Sequence, residues 1–276
     1  MEPRLTLPDG TRIAHDATDT PGTGAGTGTG TEAPLAVYAH GMSLSRDVEA
    51  GMDLFGWDAV RRLPGRRLVR YDARGHGAST GGADASGYTY RHFADDLLAL
   101  LDRLSPGRPV TGMGSSLGSA TVLTAAVREP ARFDRLVLLI PPTAWETRAA
   151  QAGLYRKLAD ATEKGGPELL AKVTAAAPVP SSLAGAPGYP ARSLGVHREA
   201  LPSLLRGAAL SDLPARAEIA RLTRPALVLA WADDPGHPVS TAEQLAGLLP
   251  GARLHVSEDA ADIRTWGDRI AEFLAD

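Results

Sequence analysis

Short apolar runs without polar alternation recur along the chain, and stretches of helical periodicity lie between them. The runs cover residues 35–39, 67–71, 109–113, 135–140, 225–231 and 252–256. Strands of a parallel sheet look like this when helices cover both faces, because both sides of each strand are buried. Residues 90–104 place leucines on one side of a helix, and residues 119–128 resume a helical pattern. The pattern therefore predicts an α/β fold with a mostly parallel sheet flanked by helices.

Two departures from this pattern divide the chain further. At the start, Asp9-Gly10 lies between two short extended runs and predicts a hairpin. After Trp145 no strand pattern is found until about residue 215, and the segment is rich in alanine and leucine and broken by prolines. Because sheet strands precede and follow it, residues 146–215 are predicted to form a helical lid. Residues 1–145 and 216–276 would then form the core.

The sharpest chemical feature is the segment Gly114-Ser115-Ser116-Leu117-Gly118, which lies between an apolar strand pattern and an apolar helix pattern. A serine hydroxyl attacks a carbonyl only when it is exposed, aimed and close to a base. A tight strand-to-helix turn aims it, and the crowded backbone of that turn needs small neighbours. Ser116 has the required spacing to both glycines, and Ser115 does not. We therefore expect Ser116 to be the nucleophile, with the Leu117 amide as an oxyanion donor at a helix N-terminus.

A second motif, Ala39-His40-Gly41-Met42, ends the first apolar run. A backbone amide here, that of Met42, is expected to be the second oxyanion donor. We expect His40 to be structural and to hold this loop through a side-chain hydrogen bond, rather than to act as a base.

These motifs together carry a family resemblance. His40-Gly41, the stretch 72–79 with the sequence Asp-Ala-Arg-Gly-His-Gly-Ala-Ser, and the serine turn follow one another in the order seen in the α/β-hydrolase superfamily. The chain resembles its lidded esterase, haloperoxidase-like and lactonase branches from about residue 35 to the C-terminus. In that family the stretch 72–79 is a structural loop, so the resemblance implies that Arg74 and His76 are scaffold residues.

The resemblance also implies a position for the catalytic acid. The family places it after the strand that corresponds to residues 225–231, in a loop of the form Asp-x-x-x-Pro. Asp234 to Pro238 fit that form, so Asp234 is the expected acid, and Glu146 is a weaker alternative. A buried carboxylate at this position would orient an imidazole and stabilise its cation.

The base is where this sequence departs from the family, which has a histidine after the last strand. No histidine follows His255, and Asp262 occupies about the expected position. His237, three residues beyond Asp234, is the leading candidate for a relocated base. Alternatively, Asp262 acts directly or through water, or the hydrolytic triad is lost and the pocket binds a ligand or performs other chemistry. A last alternative is that His255 or His197, in the predicted lid, serves.

Composition and net charge limit the partners and cofactors that we expect for this protein. The chain has 276 residues, 43% of them hydrophobic, which suits one large domain. Its net charge of −3 and the absence of a basic stripe argue against nucleic acid and membrane partners. There are no cysteines, no ligand spacing typical of a metal site and no phosphate-binding loop, so we expect neither a metal nor a cofactor. No apolar run is long enough for a membrane span or a signal peptide, so a cytoplasmic location is expected.

The sequence thus predicts a cofactor-independent serine hydrolase. Its small-molecule substrate would be a small, largely apolar ester or lactone, held against a wall that includes Trp145, Trp231 and Met42 and cleaved through an acyl-enzyme. The alternative is a degenerate family member that acts as a binding protein or a non-hydrolytic lyase or cyclase. Whether an imidazole reaches Ser116 discriminates between the two. The oligomeric state stays open.

Overall fold

A single eight-stranded sheet organises the part of the chain that the structure describes. The computed structural model describes residues 3–19, 33–62, 66–166, 179–191 and 193–276. The strands are β1 (Arg4–Thr6), β2 (Arg12–Asp19), β3 (Leu35–Ala39), β4 (Arg67–Tyr71), β5 (Val110–Ser115), β6 (Phe133–Leu139), β7 (Ala226–Trp231) and β8 (Arg253–Ser257). Their order in the sheet is β1-β2-β4-β3-β5-β6-β7-β8. The β1–β2 hairpin and the β2–β4 pair are antiparallel, and the other pairs are parallel. The predicted hairpin and the mostly parallel sheet are both confirmed.

Helices follow the strands as predicted. They are α1 (Arg46–Met52), α2 (Asp58–Arg61), α3 (Tyr90–Leu104), α4 (Leu117–Arg128), α5 (Arg148–Gly165), α6 (Leu201–Ala209), α7 (Arg216–Ile219), α8 (Val239–Leu248), α9 (Ala260–Ile263) and α10 (Trp266–Ala275). The bounds of α3 agree with the sequence prediction, whereas α4 begins two residues earlier than residue 119. None of the helices within the described ranges combines the length and the apolar character that a membrane crossing requires.

Alternate residues of the central strands enter two separate apolar cores. In β3, Val37 and Ala39 belong to the core that also contains the buried face of α3, including Leu97. Ala36 and Tyr38 belong to the other core, on the opposite face of the sheet. Because side chains alternate along a strand, this division is what a sheet covered on both faces requires.

The segment between β6 and β7 carries no strand within its described residues, as the sequence predicts. Helices α5 and α6 pack against each other here. Arg148 fastens this segment internally, because its buried guanidinium donates to the carbonyl groups of Ser211 and Ala208. A hydrogen bond from the Gly195 amide to the Ser43 carbonyl, 2.7 Å long, connects this segment to the core. The predicted lid, 146–215, includes residues 167–178 and 192, which lie outside the described residues.

One backbone contact fixes where α4 begins. A Cβ atom placed on Gly118 would lie 2.0 Å from the Ala39 carbonyl oxygen, so the first turn of α4 touches the end of β3. Similarly, a Cβ atom on Gly114 would lie 2.3 Å from the Gly118 carbonyl carbon. Real Cβ atoms do not approach other heavy atoms this closely. The glycines that flank the Ser116 turn are therefore required by packing.

This contact generates a stability prediction. Gly118→Ala is expected to destabilise the fold by about 1–3 kcal/mol or more, because the added methyl group must push β3 and α4 apart. Gly153→Ala is the matched control, since Gly153 lies inside α5 and a Cβ atom there meets nothing within 4 Å. That substitution is expected to stabilise the fold by about 0.5–1 kcal/mol, through helix propensity alone. Urea unfolding of the two variants measures both effects, and equal effects would refute the packing argument.

Candidate active site

A cavity of about 370 Å³ lies where the parallel strands end. The loops after β3, β5 and β7 meet there, because the carboxyl ends of parallel strands share one edge of the sheet. The segment between β6 and β7 supplies a further wall, which includes Tyr155, Leu158, Tyr189 and Leu194. Ser116, Asp234 and His237 all line this cavity.

Ser116 occupies the turn between β5 and α4. Its φ of 51° and ψ of −111° are strained for a residue with a side chain, and the turn holds them in place. The Ser116 amide donates to the Leu139 carbonyl of β6 at 3.0 Å, and the Ser119 hydroxyl donates to the Ser116 carbonyl at 2.9 Å. The geometry is the aimed turn that the glycine spacing predicts.

An imidazole reaches this serine. The Ser116 hydroxyl oxygen lies 2.7 Å from His237 Nε2, and His237 Nδ1 lies 2.8 Å from Asp234 Oδ2. A carboxylate accepts, so the imidazole proton belongs on Nδ1, and Nε2 is left free to accept the serine proton. The three side chains therefore form a continuous hydrogen-bonded chain from acid to nucleophile.

Asp234 is held in its ionised form by its neighbours. Burial alone would raise its pKa, but hydrogen bonds from His237, from Trp231 Nε1 at 2.9 Å and from the Gly236 amide at 2.8 Å hold the pKa of Asp234 well below its usual range. The His237 amide also donates to the Asp234 carbonyl at 3.1 Å. Asp234 and His237 thus belong to one short turn that follows β7, and a negative carboxylate is kept next to the imidazole.

Two backbone amides are the oxyanion donors expected from the sequence. Leu117 is the first residue of α4, so its N–H has no partner inside the helix. Met42 follows β3 and lines the cavity. Among the hydrogen bonds of the described residues, neither amide donates to a protein acceptor. Their role as oxyanion donors stays a prediction.

His40 secures the Met42 loop. Its Nδ1 donates to the Gly41 carbonyl at 2.8 Å, and its Nε2 accepts from the Ala73 amide at 3.0 Å. Burial lowers the pKa of His40, which favours the neutral ring that these two bonds need. The His76 ring packs against the His40 ring, with 5.1 Å between the two ring centroids, and His76 Nδ1 donates to the Arg74 carbonyl. Arg74 pairs with the buried Asp96. The structural roles expected for these residues agree with their contacts.

The expectation that Asp262 reaches Ser116 was wrong. Asp262 Oδ2 accepts from His255 Nε2 at 2.6 Å and from the Ser257 hydroxyl at 2.7 Å, and Oδ1 accepts from Arg269 at 2.9 Å. Neither Asp262 nor His255 is among the described residues that line the cavity. The Asp262 carboxylate thus contacts His255 and Ser257 of β8 and Arg269 of α10, and these three donors occupy both of its oxygens. The same contact removes His255 as a candidate base.

Three further candidates lie elsewhere. Glu146, the weaker candidate acid, is exposed and pairs with Arg216 at 2.6 Å. His197 Nε2 donates to the Gly77 carbonyl at 2.8 Å. Trp145, expected in the pocket wall, is not among the described residues that line the cavity. The Arg216 guanidinium instead lies over its indole, 4.2 Å from the centroid of the Trp145 ring. Trp231 and Met42 do line the cavity, as expected.

One polar group in the cavity wall has no counterpart in the sequence predictions. Glu49 of α1 accepts a 2.6 Å hydrogen bond from the Tyr38 hydroxyl and a 3.3 Å hydrogen bond from the Ser115 hydroxyl. No local motif marks Glu49. The available signal is Tyr38 inside an apolar strand, because a buried tyrosine hydroxyl requires a polar partner.

Curated relatives include proteins of several activities. The chain is 36% identical over 138 residues to a "Probable oxidoreductase EphD" of Mycobacterium tuberculosis, a match that covers 49% of this chain but only 20% of that protein. The chain thus spans about a fifth of the length of that relative. It is 29% identical over 233 residues to a "Putative carbamate hydrolase RutD" of Pseudomonas savastanoi, covering 82% of this chain and 86% of the relative.

A solved structure of a hydrolase from Pseudomonas aeruginosa superimposes with a TM-score of 0.78 at 25% identity, over 100% of this chain and 98% of that one. A family model described as the alpha/beta hydrolase fold matches residues 34–264. That range includes all but the first two strands of the sheet and every residue of the Ser116 site. The chain belongs to the alpha/beta hydrolase fold family.

Proposed function

We propose that this protein is a cofactor-independent serine hydrolase that cleaves a small, largely apolar ester or lactone through an acyl-enzyme on Ser116. The observation that supports this most directly is the 2.7 Å contact between the Ser116 hydroxyl oxygen and His237 Nε2. Hydrolases among the relatives and solved structures, the carbamate hydrolase above included, agree with this reaction class.

Acylation follows from the hydrogen-bonded chain. As Ser116 Oγ attacks the substrate carbonyl carbon, its proton passes to His237 Nε2, and the carbonyl oxygen becomes an oxyanion. The Met42 and Leu117 amides donate to that oxyanion. Asp234 stabilises the imidazolium that forms. The tetrahedral intermediate then breaks its bond to the alkoxide leaving group, which takes the proton from His237 Nε2, and the acyl group stays on Ser116.

Deacylation uses the same groups in reverse. A water molecule gives a proton to His237 Nε2 as its oxygen attacks the acyl carbon. Collapse of the second tetrahedral intermediate returns the proton to Ser116 Oγ and releases the carboxylic acid. A lactone would yield a hydroxy acid, because its leaving alkoxide belongs to the same molecule. No group beyond the chain's own residues and water is needed in these steps.

The cavity supports an apolar substrate. Its wall is mostly aliphatic and aromatic: the core residues Leu54, Phe55 and Ile140 line it, and so does the partly buried Leu44. Contacts of this kind favour a largely apolar ester, because a charge without a partner would lose its hydration here. We interpret the segment between β6 and β7, which covers one side of the cavity, as the lid expected from the sequence.

The alternative of a degenerate binding protein, lyase or cyclase depended on the absence of an imidazole near Ser116. His237 supplies that imidazole, so the serine hydrolase is the better supported proposal. The expected absence of nucleic acid, membrane, cofactor and metal partners stays a prediction, as does a cytoplasmic location.

Labelling with a fluorophosphonate tests the activated serine. The wild-type protein is expected to be labelled, and Ser116→Ala is expected to abolish labelling because the attacking oxygen is gone. His237→Ala is expected to slow labelling by about 10³-fold or more, since serine is a weak nucleophile without its base. The readout is the rate of adduct formation by intact-protein mass spectrometry, with folding of each variant checked by circular dichroism. A folded wild-type protein that resists the probe would contradict the proposal.

Kinetics of two carboxylate variants test the assignment of the acid. Asp234→Asn is expected to lower kcat for 4-nitrophenyl butyrate by about 10⁴-fold, because an amide in place of the carboxylate favours the wrong imidazole tautomer. Asp262→Asn is expected to leave kcat within about threefold of wild type, since its contacts lie on β8. The reverse ranking of the two variants would return Asp262 to the reaction and remove Asp234 from it.

A further inference from the structure

A buried carboxyl group forms part of the cavity wall next to the nucleophile. Glu49 is only 7% exposed, yet it lines the cavity. Its hydrogen-bond partner Ser115 directly precedes Ser116 in the chain. The carboxyl group therefore lies beside the reacting centre, although the proposed steps of hydrolysis do not use it.

The two oxygens of this carboxyl group have different surroundings. Oε1 accepts from both the Tyr38 and Ser115 hydroxyls, which lie 2.9 Å from each other. Within the described part of the chain, Oε2 has no hydrogen-bond donor, and it is not among the atoms that are sealed from solvent without a partner. Oε2 is thus a carboxyl oxygen without a donor among the described residues, on a side chain that lines the cavity.

An arrangement of this kind is costly without a ligand. Burial raises the pKa of Glu49 to about 7, and the hydrogen bonds from Tyr38 and Ser115 only partly offset that increase. Oε2 faces a largely apolar cavity, where an acceptor without a protein donor is only partly hydrated and has therefore lost part of its hydration free energy. A ligand that brought a donor to Oε2 would favour the ionised carboxylate and recover that loss, whereas a purely alkyl ligand would not.

We propose that Glu49 determines substrate specificity, and that the substrate carries, apart from its scissile carbonyl, a hydroxyl or ammonium group that donates to Glu49 Oε2. This inference rests on the proposed hydrolysis at Ser116 and narrows its substrate class. The rest of the substrate is apolar and contacts the aliphatic wall. A site built to pair with a donor rejects the analogue that lacks one, because the site's own polar group is then buried unpaired.

The test compares matched esters. One series consists of methyl esters of unbranched acids of six to eight carbons, whose far end carries a methyl, hydroxyl or ammonium group. A second series consists of acetates of the corresponding alcohols, so that the same three groups lie on the alcohol side of the ester. Wild-type protein is expected to show, for at least one length, a kcat/KM about tenfold or more higher for a donor-bearing ester than for its methyl counterpart. The hydroxyl and ammonium series identify which donor the site takes.

Two variants locate the effect. Glu49→Gln, which keeps the shape but removes the charge, is expected to lose at least about tenfold of an ammonium preference and to keep part of a hydroxyl preference. Glu49→Leu is expected to abolish either preference. Asp47→Asn is the matched control, since Asp47 is an exposed carboxylate on the same helix, and its preferences are expected to equal those of wild type. Thermal unfolding establishes that each variant is folded.

A binding measurement separates the two proposals. Calorimetry with Ser116→Ala and the same esters reports recognition without catalysis. If wild-type protein hydrolyses methyl-terminated and donor-bearing esters equally well at every length, the inference on Glu49 is overturned and the hydrolase proposal stands. If no ester is hydrolysed but Ser116→Ala still binds donor-bearing compounds more tightly through Glu49, the hydrolase proposal fails and the recognition site stands. A donor preference that Glu49→Leu retains would also refute the role of Glu49.

Discussion

The structure of the site depends on the contact between the first turn of α4 and the last residue of β3. Only a glycine at position 118 allows the helix backbone to lie against the Ala39 carbonyl. That contact brings the start of α4, with Ser116 and the Leu117 amide, next to the loop that follows β3 and carries Met42. Ser116 and the Leu117 amide are therefore placed by backbone packing between two buried elements, and not by flexible side chains. Such a rigid placement is what preorganised stabilisation of an oxyanion requires.

The positions of Asp234 and His237 depend on a different feature, the single turn that follows β7. Asp234 and His237 are joined both through the side-chain hydrogen bond and through the bond from the His237 amide to the Asp234 carbonyl. Trp231, at the end of β7, donates to the same carboxylate and ties the turn to the sheet. Because His237 of this turn contacts Ser116, the proposed reaction needs no base from the segment after β8. Asp262 in that segment links β8 and α10 through its contacts with His255 and Arg269.

The sequence predicts what local patterns determine. Buried strands, the α3 helix and the serine turn all follow from periodicity and from glycine spacing, and the structure agrees closely. Which histidine reaches Ser116 could not be decided in the same way, because the answer depends on how a loop folds back over the sheet edge. Trp145 was placed wrongly for a related reason, since its indole turned toward the Arg216 guanidinium and away from the cavity. Glu49 went unnoticed because its partners Tyr38 and Ser115 lie on two different strands, β3 and β5, and no local pattern shows that α1 packs where these strands are adjacent.

Two adjacent serines divide the polar chemistry of an otherwise apolar cavity. Ser116 contacts His237, where we propose that a proton is transferred, and Ser115 contacts Glu49 and Tyr38, where we propose that a donor is recognised. Ser115 is the last residue of β5 and Ser116 is the turn that follows it, so the same strand end fixes both positions. A substrate that pairs with Oε2 would therefore hold its carbonyl at a set distance from the nucleophile. The proposed contact with Glu49 would thus orient the substrate as well as increase its affinity. A second contact at a fixed position restricts the substrate before reaction and so lowers the entropic cost of reaching the reactive geometry.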